Sequence, residues 1–211
     1  MKKSSGKILG SKIRFSLIRI SGFTFIELMV VLIIVAIFMA IAIPSYQQYM
    51  RKRDLAVAQQ IALNMASELE RFKYKNFSYK GFDASFFYPD YDKETGVLYI
   101  PIGSTASNAK YWLTLVDADI SNPASDSKKP LTVVLDSDGK ETTNSQSIRG
   151  LAWAMSVQRI KLGADPIAPT AQPKDPQGFD LLLRSNGLRC MTITNNTVTA
   201  YQGCGTDKKE W

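Results

Sequence analysis

The sequence contains no histidine, only two cysteines, and no acidic residue before Glu27. Without histidine, Ser-His-Asp and Cys-His nucleophile systems are excluded, and so are most zinc and haem sites. Cys190 and Cys204 are too few for a four-thiolate metal site and do not form a C-x-x-C pair. The missing N-terminal acids unbalance the charge. Lys2, Lys3, Lys7, Lys12, Arg14 and Arg19 face no anion within residues 1–22, so these six account for nearly all of the formal net charge of +7. Beyond residue 22 the signs almost cancel, leaving +1. A broadly basic chain would point to nucleic acid or acidic membranes as partners. Here the basicity belongs to the N-terminus.

Long apolar runs are absent except for one. From Phe23 to Ile43 the only polar residues are Thr24 and Glu27. As a helix this stretch is roughly 32 Å long, against a hydrocarbon core of about 30 Å. Six cations before it favour an N-terminus in the cytoplasm. Ala40-Ile41-Ala42 offers a secretory cleavage pattern. The apolar run nevertheless exceeds the roughly 7–15 residues of a signal peptide, which has no use for a carboxylate such as Glu27.

The heptapeptide Gly22-Phe23-Thr24-Phe25-Ile26-Glu27-Leu28 resembles the processing site of type IV prepilins. It combines a cleavage glycine, a glutamate five residues later and a following apolar helix. The resemblance implies that residues 1–22 are a leader and that a prepilin peptidase cuts after Gly22. It further implies methylation of the new amino group on Phe23. Glu27, costly inside a membrane, would then pair with the Phe23 nitrogen of the same or a neighbouring subunit. Residues 23–50 would form the membrane and filament-core helix, and residues 51–211 a periplasmic globular domain. The implied partners are major and minor pilins, the peptidase and an inner-membrane assembly platform. The subunit would wait in the inner membrane and then move to a surface pilus. The fold implied is α+β, with a long N-terminal helix packed on an antiparallel sheet.

The residues beyond the motif agree with that fold. Pro44 removes one helical hydrogen bond, so a kink or a locally unwound segment is expected there. Ala58, Ile61, Ala62, Met65, Leu69 and Phe72 then recur on one face of an amphipathic helix ending near Lys75. Val97–Ile102, Lys110–Val116, Leu131–Asp136 and Leu151–Ile160 read as strands between turn residues. Phe179–Arg184 and Leu188–Thr194 flank Ser185-Asn186-Gly187, a strong hairpin signal. Thr197–Thr199 follows Asn195-Asn196 and reads as a further strand after a tight turn. Pro166, Pro169, Pro173 and Pro176 mark an extended connection.

If the domain lies in an oxidising periplasm, Cys190 and Cys204 are expected to pair and close a 15-residue loop. Together with the extended connections, that pair resembles PilE-type minor pilins. Asp90–Gly96 and Asp136–Gly139 carry closely spaced carboxylates, yet lack the spacing of a calcium loop and read as turns. Lys73, Lys75 and Lys80 cluster near the helix end, where cations complement the dipole. No metal, cofactor or catalytic residue is expected. Four function classes stay open. A structural pilus subunit, read as a minor pilin, comes first, supporting biogenesis, twitching motility, adhesion or DNA uptake. A type II secretion pseudopilin shares the N-terminal motif. A DNA-binding competence pilin needs a basic surface, which a mature charge of +1 supplies only locally. A membrane-tethered enzyme is the weakest.

Overall fold

The computed structural model describes residues 22–118, 129–163, 165, 167–168 and 171–211. Residues 1–21 of the expected leader, Pro166 and Pro169 therefore lie outside the described residues. The chain divides into two units at Tyr46/Gln47. The helix α1, Phe25–Asn76, runs through both, and helical backbone continues across Pro44. The unwound segment expected at Pro44 does not form. Helix start is set by Thr24, whose hydroxyl accepts from the Glu27 N–H at 3.3 Å while its carbonyl accepts from Leu28 N at 3.2 Å. This is the donor-satisfying half of a Thr-x-x-Glu capping box.

The second unit is built on a five-stranded antiparallel sheet in chain order. Its strands are β1 (Val97–Ile100), β2 (Tyr111–Asp117), β3 (Trp153–Arg159), β4 (Asp180–Arg184) and β5 (Arg189–Thr192). Register runs Leu98↔Leu113, Leu113↔Val157, Val157↔Leu181 and Leu181↔Met191, so one apolar row crosses the sheet. Against that row α1 buries Ala58, Ile61, Ala62, Met65 and Leu69, the stripe legible at helical spacing. The opposite face is covered as well. Trp112 packs with Ile160 and Ala109, while Leu182 packs with Val198 and the cysteines, which explains why β2 and β3 are buried along their whole length.

Two expected strands are corrected. Leu131–Asp136 makes no ladder with the sheet. Leu131 accepts from Gly81 N, and Thr132 Oγ1 donates to the Phe82 carbonyl, so the segment bonds to the loop after α1. It turns back at Asp136, whose carboxylate accepts from the N–H groups of Asp138 and Lys140, and only the bridge Leu135↔Glu141 is strand-like. Thr197–Thr199 belongs to a 3-10 helix, Thr197–Ala200, bounded by Asn196 and Tyr201 in left-handed backbone. Thr197 and Thr199 donate to the carbonyls of Thr194 and Asn196, local bonds that compete with a ladder. The neighbour of β5 is instead Lys209, bridged to Met191.

Candidate functional site

In the first unit, residues 22–46 are exposed throughout. Within α1 lies one stretch long and apolar enough to cross a membrane, with a mean hydropathy of 3.1 and none of it buried. Glu27 stands in the first turn, where the helix dipole favours an anion. Its carboxylate bonds to nothing among the described residues.

In the second unit, chemistry gathers at the end where α1 finishes. Glu70 Oε1 accepts from the Tyr79 hydroxyl at 2.8 Å and from Trp153 Nε1 at 3.1 Å. Burial, then the hydrogen bond to Glu70, pushes the Tyr79 phenol up to about 12. The Lys73 ammonium lies 4.7 Å over the Tyr79 ring. Beside this set a groove of about 260 Å³ is lined by Leu63, Glu70, Trp153, Arg184, Ser185 and Arg189. The two arginines have no carboxylate partner among the described residues, whereas Lys80 pairs with Glu141 at 2.8 Å. This end therefore presents Lys73, Arg184 and Arg189 beside Glu70, whose carboxylate is engaged by Tyr79 and Trp153. Gly150 makes the assembly possible. Its carbonyl accepts from Tyr79 N at 2.8 Å and from the Ser78 hydroxyl at 3.1 Å, and any Cβ there would collide with the Lys80 backbone.

At the opposite end a buried ion pair orders the approach to β4. The Arg159 guanidinium donates to both oxygens of Asp180, at 2.9 and 3.1 Å, and to the carbonyls of Asp175, Pro176 and Ile193. Arg51 adds a bridge to Asp175 at 3.2 Å. The buried Lys161 ammonium donates to Asn196 Oδ1, and burial lowers its pKa, offset in part by the Asp180 charge. A disulfide joins Cys190 in β5 to Cys204, with the Cα atoms 6.0 Å apart.

Two family models match consecutive segments. The prokaryotic N-terminal methylation motif covers residues 17–43. The model described as type IV minor pilin ComP, DNA uptake sequence receptor, covers residues 44–126. The chain is a type IV pilin. No curated protein and no solved structure matches it. Pilin families supply structural, non-enzymatic subunits, and the receptor match makes the minor-pilin resemblance specific.

The pilin has the disulfide expected of Cys190 and Cys204. Of the carboxylates considered for calcium, Asp92 accepts from Glu94 N and the Thr95 hydroxyl in its own loop, and Asp90 accepts from Gly103 N in the connection after β1. Glu70, Trp153, Arg184 and Arg189 are not neighbours in sequence, and only the packing of α1 and the register of β3, β4 and β5 bring them together. One signal was available. Lys73-Tyr74-Lys75-Asn76-Phe77-Ser78-Tyr79-Lys80 alternates cations with aromatics, and helix-dipole reasoning accounts for the lysines alone.

Proposed function

We propose that this pilin is a minor subunit of a type IV pilus, cleaved after Gly22 and N-methylated on Phe23. It enters the filament through the first half of α1. The observation that carries this reading is the exposed apolar helix, which begins two residues after the Gly22-Phe23 junction and holds one carboxylate, Glu27, in its first turn. Such a surface requires a bilayer before assembly and neighbouring helices afterwards. Prepilin peptidase, the inner-membrane platform and other pilins are the partners, with the second unit in the periplasm. The disulfide-closed C-terminal segment and the receptor match favour a pilus over a secretion pseudopilus. Mass spectrometry of the protein from sheared pili tests the reading: N-methyl-Phe23 at the N-terminus is expected, and Ile43 there would replace it with secretory cleavage.

A second reading is favoured by the match of residues 44–126 to a DNA uptake sequence receptor. The second unit is proposed to bind DNA at the end carrying Lys73, Lys75, Arg184 and Arg189. With a mature charge of only +1, the phosphate contacts fall to this local cluster, since they need cations only where the strand lies. Fluorescence polarisation of a random-sequence duplex pool, titrated with the detergent-solubilised pilin at several salt concentrations, tests it. Binding that weakens with salt is expected.

A further inference from the structure

We propose that Tyr74 and Phe77, flanked by Lys73 and Lys75, form a platform on which bases of bound DNA stack. The inference rests on the DNA-binding reading and adds a contact of a different kind to it. Tyr74 is 88% exposed in the last turn of α1, and Phe77, just past the helix end, is 89% exposed. Phe77 also holds left-handed backbone, φ 58°, with its N–H donating to the Lys73 carbonyl at 2.7 Å. That position closes many helices, and glycine or asparagine occupies it without strain. An aromatic residue there is strained in its backbone and unburied in its ring. Neither cost is offset by a contact among the described residues. The third aromatic of the segment, Tyr79, is buried and bonded to Glu70, so it anchors the turn that carries the other two outward.

The neighbours identify the partner. Lys73 and Lys75 are exposed and have no carboxylate partner among the described residues. Lysine is depleted from the cores of protein–protein interfaces. Exposed rings interleaved with lysines that no carboxylate neutralises are instead the elements of single-strand binding surfaces, where cations follow the phosphates and rings receive the bases. Stacking needs base faces, so it operates on a single strand or on a duplex whose bases open at the contact. The cations near β4 remain for the phosphates on either side.

The test uses the mature full-length pilin in detergent, as wild type and as the Tyr74→Ala, Phe77→Gly double variant. Glycine suits the left-handed position, so the Phe77→Gly change removes the ring while relaxing the backbone, and the variant should melt no lower than wild type. The probes are a random-sequence single strand and duplex pool, plus a single strand containing 2-aminopurine, whose emission falls on stacking. The variant is expected to bind about tenfold more weakly or worse, to lose the quench, and to keep the wild-type salt dependence. Retained affinity and quench would overturn the platform and leave the DNA reading standing. Failure of wild type to bind any probe would overturn both. Unchanged DNA binding with loss of the variant from sheared pili would give the rings to a contact between subunits, again overturning the platform.

Discussion

At the scale of single residues, the buried charges matter more than their number. Arg159 and Asp180 have side chains only 2% exposed, and the guanidinium spends its remaining donors on three carbonyls. Asp180→Ala leaves that cation desolvated and should cost about 3–5 kcal/mol, read from the urea midpoint. A joint Arg159→Met, Asp180→Leu replacement should recover most of the loss, since a matched apolar pair leaves no unpaired charge. Three buried tyrosines make a second residue-scale prediction. Burial raises the phenol pKa of Tyr79, Tyr91 and Tyr111 above the ordinary value of 10.0. Between pH 10 and each folded value the unfolded chain has lost the proton that the folded chain keeps. Stability is therefore fully present below pH 10 and falls as pH rises. Melting temperature should drop steeply above pH 10, and tyrosinate absorbance should show a late fraction that appears only with unfolding.

At the scale of elements, Gly150 and the disulfide hold the pieces that the sheet does not. Gly150→Ala places a methyl against the Lys80 backbone and strains a residue at φ 64°. It should cost about 1–3 kcal/mol for the backbone alone, with more for the clash, and should release Tyr79 from Glu70, measurable as a lowered phenol pKa. Cys204→Ser opens a short loop and should cost about 3 kcal/mol in the chain-entropy model. Much of this level was legible in the sequence. The helical stripe from Ala58 to Leu69 and the Asn186-Gly187 hairpin depend on neighbours within a few residues, and both appear where their spacing places them. Leu131–Asp136 misled because a β-branched apolar run looks alike whether its hydrogen bonds go to a sheet or to a loop. The partner loop, Gly81-Phe82, lies some fifty residues away. The cationic end was hidden for the same reason: it joins residues of α1 to those of β3, β4 and β5, and only tertiary register puts them together.

At the scale of the whole molecule, the proposed function assigns the two units different work: residence in a membrane or filament for the first, display for the second. Glu27→Val makes the first more apolar, so membrane retention and cleavage after Gly22 should persist. Entry into sheared pili should fall sharply, and normal incorporation of the variant would remove Glu27 from the assembly step. The far edge of the second unit has a consequence of another sort. Met191 and Lys209 exchange both backbone hydrogen bonds at 2.8 Å, and the Trp211 indole donates to the Cys190 carbonyl at 3.2 Å. These few residues occlude the outer row of donors and acceptors on β5, which would otherwise recruit strands from other molecules. Proteolytic trimming after Asp207 should thus make the detergent-solubilised pilin self-associate edge to edge, visible against the untrimmed protein as concentration-dependent growth in light scattering.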